Sequence, residues 1–264
     1  MNNLLFLWYT LIGWWFLKII KYQKTTKGRY KVFLDDDRCL LLYEDVILKH
    51  ELLLKKELSE EEIIEAEKYN QECDVYYVAL NSINSRFKSV LELRQYLEKK
   101  EYPKDLIELA INKLLDQGYL NDRSFCKSYI NNQIITTTKG PYKIRRELRD
   151  KGIDDDIIED EIVAFDEELE FDKVNKLANR MVNSNKTRGG SVLRKKITTD
   201  LTNMGYSTDI IYKVLSDIDF TNDKDMIKKE YDKIYKRLSR KYSDKELEYK
   251  IKEALYKKGL YYED

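Results

Sequence analysis

Three stretches of this chain superpose without gaps: LRQYLEKKEYPKDLIELAINKLL from Leu93, IRRELRDKGIDDDIIEDEIVAF from Ile144 and ITTDLTNMGYSTDIIYKVLSDI from Ile197, at shifts of 51 and 53 residues. A repeat of this length confines the chain to an array of like supersecondary units that stack to bury their apolar faces. Leu93, Ile144 and Ile197 align, as do Leu97, Leu148 and Leu201, and Tyr102, Ile153 and Tyr206. Further on come Ile107, Ile158 and Ile211, then Ile111, Ile162 and Leu215, then Leu114, Phe165 and Ile218. Spacings of four and three mark one face of a helix, and that face is core. KGI at Lys151 and MGY at Met204 end the first helix of their units, with Gly152 and Gly205 suited to the left-handed position after a helix end. The shared Asp105, Asp156 and Asp209 fall in the first turn of the next helix, where a carboxylate meets the positive helix end. A third helix follows in each unit: 122–133, 166–182 and 225–238.

With 9 Gly and 2 Pro in 264 residues, the chain has too few turn residues for a sheet-rich fold. The expected fold is mainly α, tandem three-helix repeats with a small N-terminal β meander. Alternation in Phe16, Ile20 and Tyr22, then in Tyr30, Val32 and Leu34, then over Cys39 to Tyr43, gives three strands separated by turns at Thr25 to Gly28 and Asp35 to Asp37. A short helix follows from Glu44, and Ser59 with Glu62 forms a capping box that opens a long helix to about Asn81. The expected division is an apolar extension at 1–16, the meander with its short helix at 17–58, and the long helix and linker at 59–88. Three-helix repeats follow at 89–138, 139–185 and 186–238, with a partial fourth at 234–264, where KYSDKELEYKIKEAL echoes MGYSTDIIYKVL. The stretch Leu4 to Leu17 is about 21 Å long as a helix, short of the roughly 30 Å hydrocarbon core, so stable membrane insertion is not expected.

Basic and acidic side chains balance at 48 each, but unevenly along the chain. Residues 139–151 hold six basic and two acidic groups, 154–172 eleven acidic and no basic, and 186–196 five basic and no acidic. Residues 224–258 hold thirteen basic and seven acidic groups. One such block is ordinarily a solvated helix face. Here basic blocks recur at the same place in the repeat: Lys143, Arg145, Arg146, Arg149 and Lys151 in the second unit, and Lys186, Arg188, Arg194, Lys195 and Lys196 in the third. Arg86, Lys88 and Arg94 stand there in the first. Stacked units would set these groups in a ladder that suits phosphates or an acidic protein surface. Glu147 and Lys151, four apart, form a helix-stabilising pair, so part of this charge is structural.

Signatures of catalysis are missing. No phosphate loop, nucleophile elbow or metal-ligand cluster is visible, and neither enzymatic activity nor a cofactor is expected. Cys39, Cys73 and Cys126 are scattered, an odd number without a CxxC pair, which fits reduced thiols in the cytoplasm. His50, the only histidine, is read as structural or exposed.

The segment LLDQGYLNDRSF from Leu114, followed by GPYKIRRELRDKGI from Gly140, resembles paired motifs of the RecX family of recombinase regulators. KYQKTTKGRYKVFLDDD, from Lys21, is similar to the opening strands of its longer members. The likeness covers residues 18–264; Cys126 and Glu101 depart from it, Glu101 standing where the other repeats have Gly. The resemblance implies a cytoplasmic, monomeric modulator of the RecA recombinase, an elongated curved body lying in the groove of the RecA filament on single-stranded DNA. It implies inhibition of ATP hydrolysis and strand exchange. Two rivals remain: a helical DNA-binding module, disfavoured by the zero net charge and by Glu147 and Asp150 among the arginines, and a scaffold for another protein partner.

Overall fold

Alternating apolar residues near the N-terminus build an antiparallel sheet of strand order β3-β2-β1-β4. Its strands are β1 (Phe16–Lys24), β2 (Arg29–Leu34), β3 (Cys39–Tyr43) and β4 (Glu57–Ser59). The structure is a computed structural model and describes residues 16–25, 28–220 and 224–261. The apolar stretch therefore lies outside the described residues up to position 15, as does the middle of the turn between Thr25 and Gly28. Phe16, assigned above to an extension, instead belongs to the sheet and pairs with Ser59. The inward face of β1 also differs from the expected one. Leu17 is buried and Ile19 half-buried, whereas Phe16 and Ile20 are exposed. A bulge between Ile19 and Lys21 explains this: pairing passes from Ile19–Leu34 to Lys21–Phe33, and the extra residue returns Tyr22 to the inner face. Helix α1 (Glu44–Lys49) and a 3-10 turn (Leu52–Leu54) connect β3 to β4.

Ser59 caps α2 (Glu60–Ser85) as the sequence predicts. Its hydroxyl accepts from the Glu62 amide at 3.2 Å, and the Glu62 carboxylate accepts from the Ser59 amide at 2.8 Å. The helix serves two cores. Ile63, Ala66 and Cys73 cover the sheet. Val75, Tyr76, Ala79 and Ile83 pack with α3 (Val90–Glu98) and α4 (Lys104–Asp116). Asp74 sits between those two stretches and collects contacts from both sides. It accepts from Tyr43 and Tyr102 at 2.7 Å each and pairs with Arg29 at 2.8 Å. Burial pushes the Asp74 carboxyl up, but the tyrosine hydroxyls and the Arg29 guanidinium outweigh it and hold it below its ordinary value. Replacing Asp74 by Asn turns an acceptor toward donors without a matching charge and should cost about 1–3 kcal/mol. The wild-type gain is complete above the unfolded carboxyl's pKa, about 3.9, and drains away as pH falls through the lower folded value. Urea midpoints measured from neutral pH downward should therefore fall less steeply for the variant.

The chain divides into two units, residues up to Asn121 and residues from Asp122 onward. In the second lie α5 (Asp122–Thr136), α6 (Pro141–Asp150), α7 (Asp155–Ile162), α8 (Glu167–Ser184), α9 (Gly190–Asn203), α10 (Thr208–Ser216), α11 (Lys224–Leu238) and α12 (Asp244–Tyr256). The repeat positions form the cores: Ile107, Ile158 and Ile211 are at most 1% exposed, and Leu97, Leu148 and Leu201 are fully buried. Packing groups the helices one step earlier than the divisions at 89, 139 and 186. Helix α5 packs on α6 and α7, α8 on α9 and α10, and the second half of α2 on α3 and α4. The later modules thus open with the helix assigned above to the close of the preceding repeat, and the first with the long helix set outside the repeats. A sequence stripe fixes which face is buried, not which helix covers it.

The fourth module differs in the same sense. Tyr102, Ile153, Tyr206 and Leu260 donate their amides to Leu97, Leu148, Leu201 and Leu255, closing four equivalent turns. The turn after α12 therefore corresponds to the turns after α6 and α9, and α12 to those helices rather than to α10, as the sequence echo implied. The last three residues of the expected fourth repeat lie outside the described part.

Candidate partner-binding surface

Glycine turns join the cationic helices of the second unit end to end. The Gly140 amide donates to the Met204 carbonyl at 2.8 Å, and the Tyr142 amide to the Gly205 carbonyl at 3.0 Å. The start of α6 is thereby fastened to the end of α9. One module on, the Gly189 amide donates to the Lys258 carbonyl at 2.9 Å, fastening the start of α9 to the turn after α12. Pro141 occupies the first turn of α6, where its missing N–H costs nothing, and Gly140 precedes it as expected. At Gly205 the backbone has φ +90°, and an added Cβ would lie 2.5 Å from the Lys143 amide nitrogen. Only glycine permits that approach.

The thirteen cations singled out from the sequence separate into three groups. Several are engaged within their own module. Arg94 forks the Glu108 carboxylate at 2.7 and 3.0 Å. Fifty-one positions later, Arg145 forks Glu159 at 2.9 and 3.2 Å. The ion pair is itself repeated, and in the third module Thr198 and Tyr212 stand in its place. Arg149 pairs with Asp155 at 2.6 Å, Arg86 with Glu92 at 3.2 Å and Lys196 with Asp200.

The contacts of other cations include backbone carbonyls and aromatic rings. The Lys88 ammonium donates to the Ser82 carbonyl at 2.8 Å, and burial pulls its pKa down. Lys151 lies 5.4 Å from the Tyr129 ring centre and 5.9 Å from that of Phe125. Glu147, expected to pair with Lys151, takes Lys139 and the Tyr129 hydroxyl, each at 2.7 Å, with Lys143 close enough to favour its charged form. The last group comprises Arg146, Lys186, Arg188, Arg194 and Lys195. They are exposed, and their side chains have no partner among the described residues.

Sequence reasoning missed a second feature of this surface. Lys186 and Arg188 line a cavity of about 540 Å³ together with Lys229 and Lys233 of α11, over Leu193, Phe220 and Met226. At its edge Glu230, 3% exposed, takes Lys233 at 2.8 Å and Lys258 at 2.6 Å. The basic excess of residues 224–258 was the only sequence signal for it. Among the described residues, no group of three or more His, Cys, Asp or Glu could hold a metal ion, and no helix is long and apolar enough to cross a membrane. His50 is half-buried beside Tyr69, with ring centres 6.1 Å apart.

Comparison with known proteins accounts for these modules. Residues 76–114 match the family model for the first three-helix domain of RecX, and residues 121–161 the model for its second. Both matches begin with the helix that opens the module in the structure. The chain is 32% identical to the regulatory protein RecX of Bacillus subtilis (strain 168) over 248 residues, covering 93% of this chain and 94% of that one. It is 30% identical to the regulatory protein RecX of Listeria welshimeri serovar 6b, over 92% of both chains. A crystal structure of a regulatory protein RecX superposes with a TM-score of 0.67 at 26% identity, covering 76% of this chain and all of that one. Repeat, glycine turns, module phase and relatives agree: the chain belongs to the RecX family of regulatory proteins.

Proposed function

We propose that this protein binds the RecA recombinase, or the filament RecA forms on single-stranded DNA, and slows its ATP hydrolysis and strand exchange. It acts as a monomer in the cytoplasm, without catalysis of its own, and so moderates recombination and repair in the SOS response. The observation that carries this reading is the line of helices α6, α9 and α12, joined end to end, with the side chains of Arg146, Arg194 and Lys195 left without partners among the described residues. A filament repeats its surface at regular intervals, and a row of like helices meets it at several points. Linked weak contacts then sum to a firm one. Binding one filament conformation more tightly than another shifts the filament's equilibrium by that difference alone.

The test is RecA ATPase on single-stranded DNA, titrated with this protein. The rate should fall in a saturable manner, strand exchange should fall with it, and the protein should sediment with the filament. A rate that stays level at every concentration, with no co-sedimentation, discards RecA as the partner. A DNA-binding role is the second reading, favoured by the cluster of Lys186, Arg188, Lys229 and Lys233. Steeply salt-dependent binding to naked duplex with no effect on RecA would select it.

A further inference from the structure

The cavity over α11 adjoins the start of α9, and its chemistry is more specific than that of an open basic face. Four cationic side chains line it, Lys186 and Arg188 from the loop before α9 and Lys229 and Lys233 from α11. Among the described residues, Asp219 is the one carboxylate on its wall. Lys233 is shared with Glu230, whereas Lys186, Arg188 and Lys229 have no side-chain partner among the described residues. Beneath them, Phe220 and Met226 are half-buried and pack on the hydrophobic cores. A bare anion would use the cations and leave this floor empty. A purely apolar ligand would strand three charges. What satisfies both is a phosphoester carrying a flat, weakly polar ring, and a volume of about 540 Å³ lies in the range of small-ligand sites.

We propose that this cavity takes one nucleotide of a single-stranded nucleic acid, its phosphate among Lys186, Arg188 and Lys229 and its base against Phe220 and Met226. In a duplex the bases are stacked and paired, so entry would require flipping one out. A single strand offers its bases freely to apolar and aromatic side chains. The inference goes beyond the recombinase reading, because it concerns this protein alone with nucleic acid and holds whether or not RecA is the partner.

The test measures binding of a labelled oligothymidylate to the intact protein by fluorescence anisotropy, without RecA. Changing Lys186, Arg188 and Lys229 together to Ala should weaken binding by about 10-fold or more and lower the salt slope by about 0.7, the contribution of one neutralised phosphate of a single strand. Phe220→Leu keeps an apolar side chain against the core but loses the ring face, and should weaken binding about 5-fold. A strand carrying 5-iodouracil should photocrosslink in the unmodified protein to peptides containing Phe220 or Met226, which makes the result independent of any variant's folding. Unchanged affinity in the folded triple variant, or crosslinks confined to other peptides, would overturn the proposal. So would equal affinity for duplex, or displacement of the strand by equimolar free thymidine monophosphate, which would assign the cavity to a mononucleotide.

Discussion

Replacing Gly205 by Ala should destabilise the unit that begins at Asp122 by about 2–5 kcal/mol, with about 1–2 from the left-handed backbone and the rest from overpacking. The collision is with backbone: the new Cβ would lie 2.5 Å from the Lys143 amide nitrogen and 2.6 Å from the Lys143 Cβ. Relief requires the start of α6 to back away, breaking the hydrogen bonds from Gly140 and Tyr142. Gly118→Ala is the matched control. Its φ is +72° and nothing lies within 4 Å of the new Cβ, so only the conformational part remains, about 1–2 kcal/mol. Glu101 argues the same point from the native chain. It makes the equivalent turn in the first module at φ 63° with a side chain in place. The turn alone therefore tolerates a Cβ, and glycine at 205 answers to the close approach of the neighbouring module. Equal losses for Gly205→Ala and Gly118→Ala in urea denaturation would mean that the contact between α6 and α9 adds nothing.

What the sequence revealed and what it hid follow from the range of each signal. Burial of Ile107, Ile158 and Ile211 was legible because helical spacing encodes a face. The glycine stops were legible because a left-handed turn is a local requirement. Module phase was not, since α5 carries a buried stripe whether it packs forward on α7 or backward. Nor was β4, a strand of three residues that forms only because Leu58 finds Leu17 across the sheet. The bulge after Ile19 defeated parity counting for the same reason: pairing with β2 decides it, not local pattern. At the candidate surface, the cations were legible but their partners were not. Arg94 with Glu108 and Arg145 with Glu159 share a separation of fourteen residues, and the repeat shift carries one pair onto the other. Comparing acidic positions across the repeat, as the basic ones were compared, would have marked both arginines as internally engaged.

That distinction ranks two sets of variants. Reversing Arg146, Arg194 and Lys195 to Glu removes charges with no side-chain partner among the described residues, so the fold should lose under about 1 kcal/mol. On the recombinase reading the same change should raise the concentration needed for half-inhibition of RecA by roughly 10–100-fold, because like charge now faces the partner at several linked contacts. Changing Arg145 and Arg149 to Gln should also cost the fold little but leave inhibition nearly intact. Their partners Glu159 and Asp155 are 54% and 66% exposed, so each broken pair costs only about 0–1 kcal/mol. Inhibition should stay within about 3-fold, since those guanidiniums are already occupied within the module. Circular dichroism melts and ATPase titrations on the same preparations read both quantities. If the Gln pair abolished inhibition while the Glu triple left it intact, the engaged arginines would have to exchange their carboxylates for the partner. The surface would then be one that opens its own ion pairs on binding.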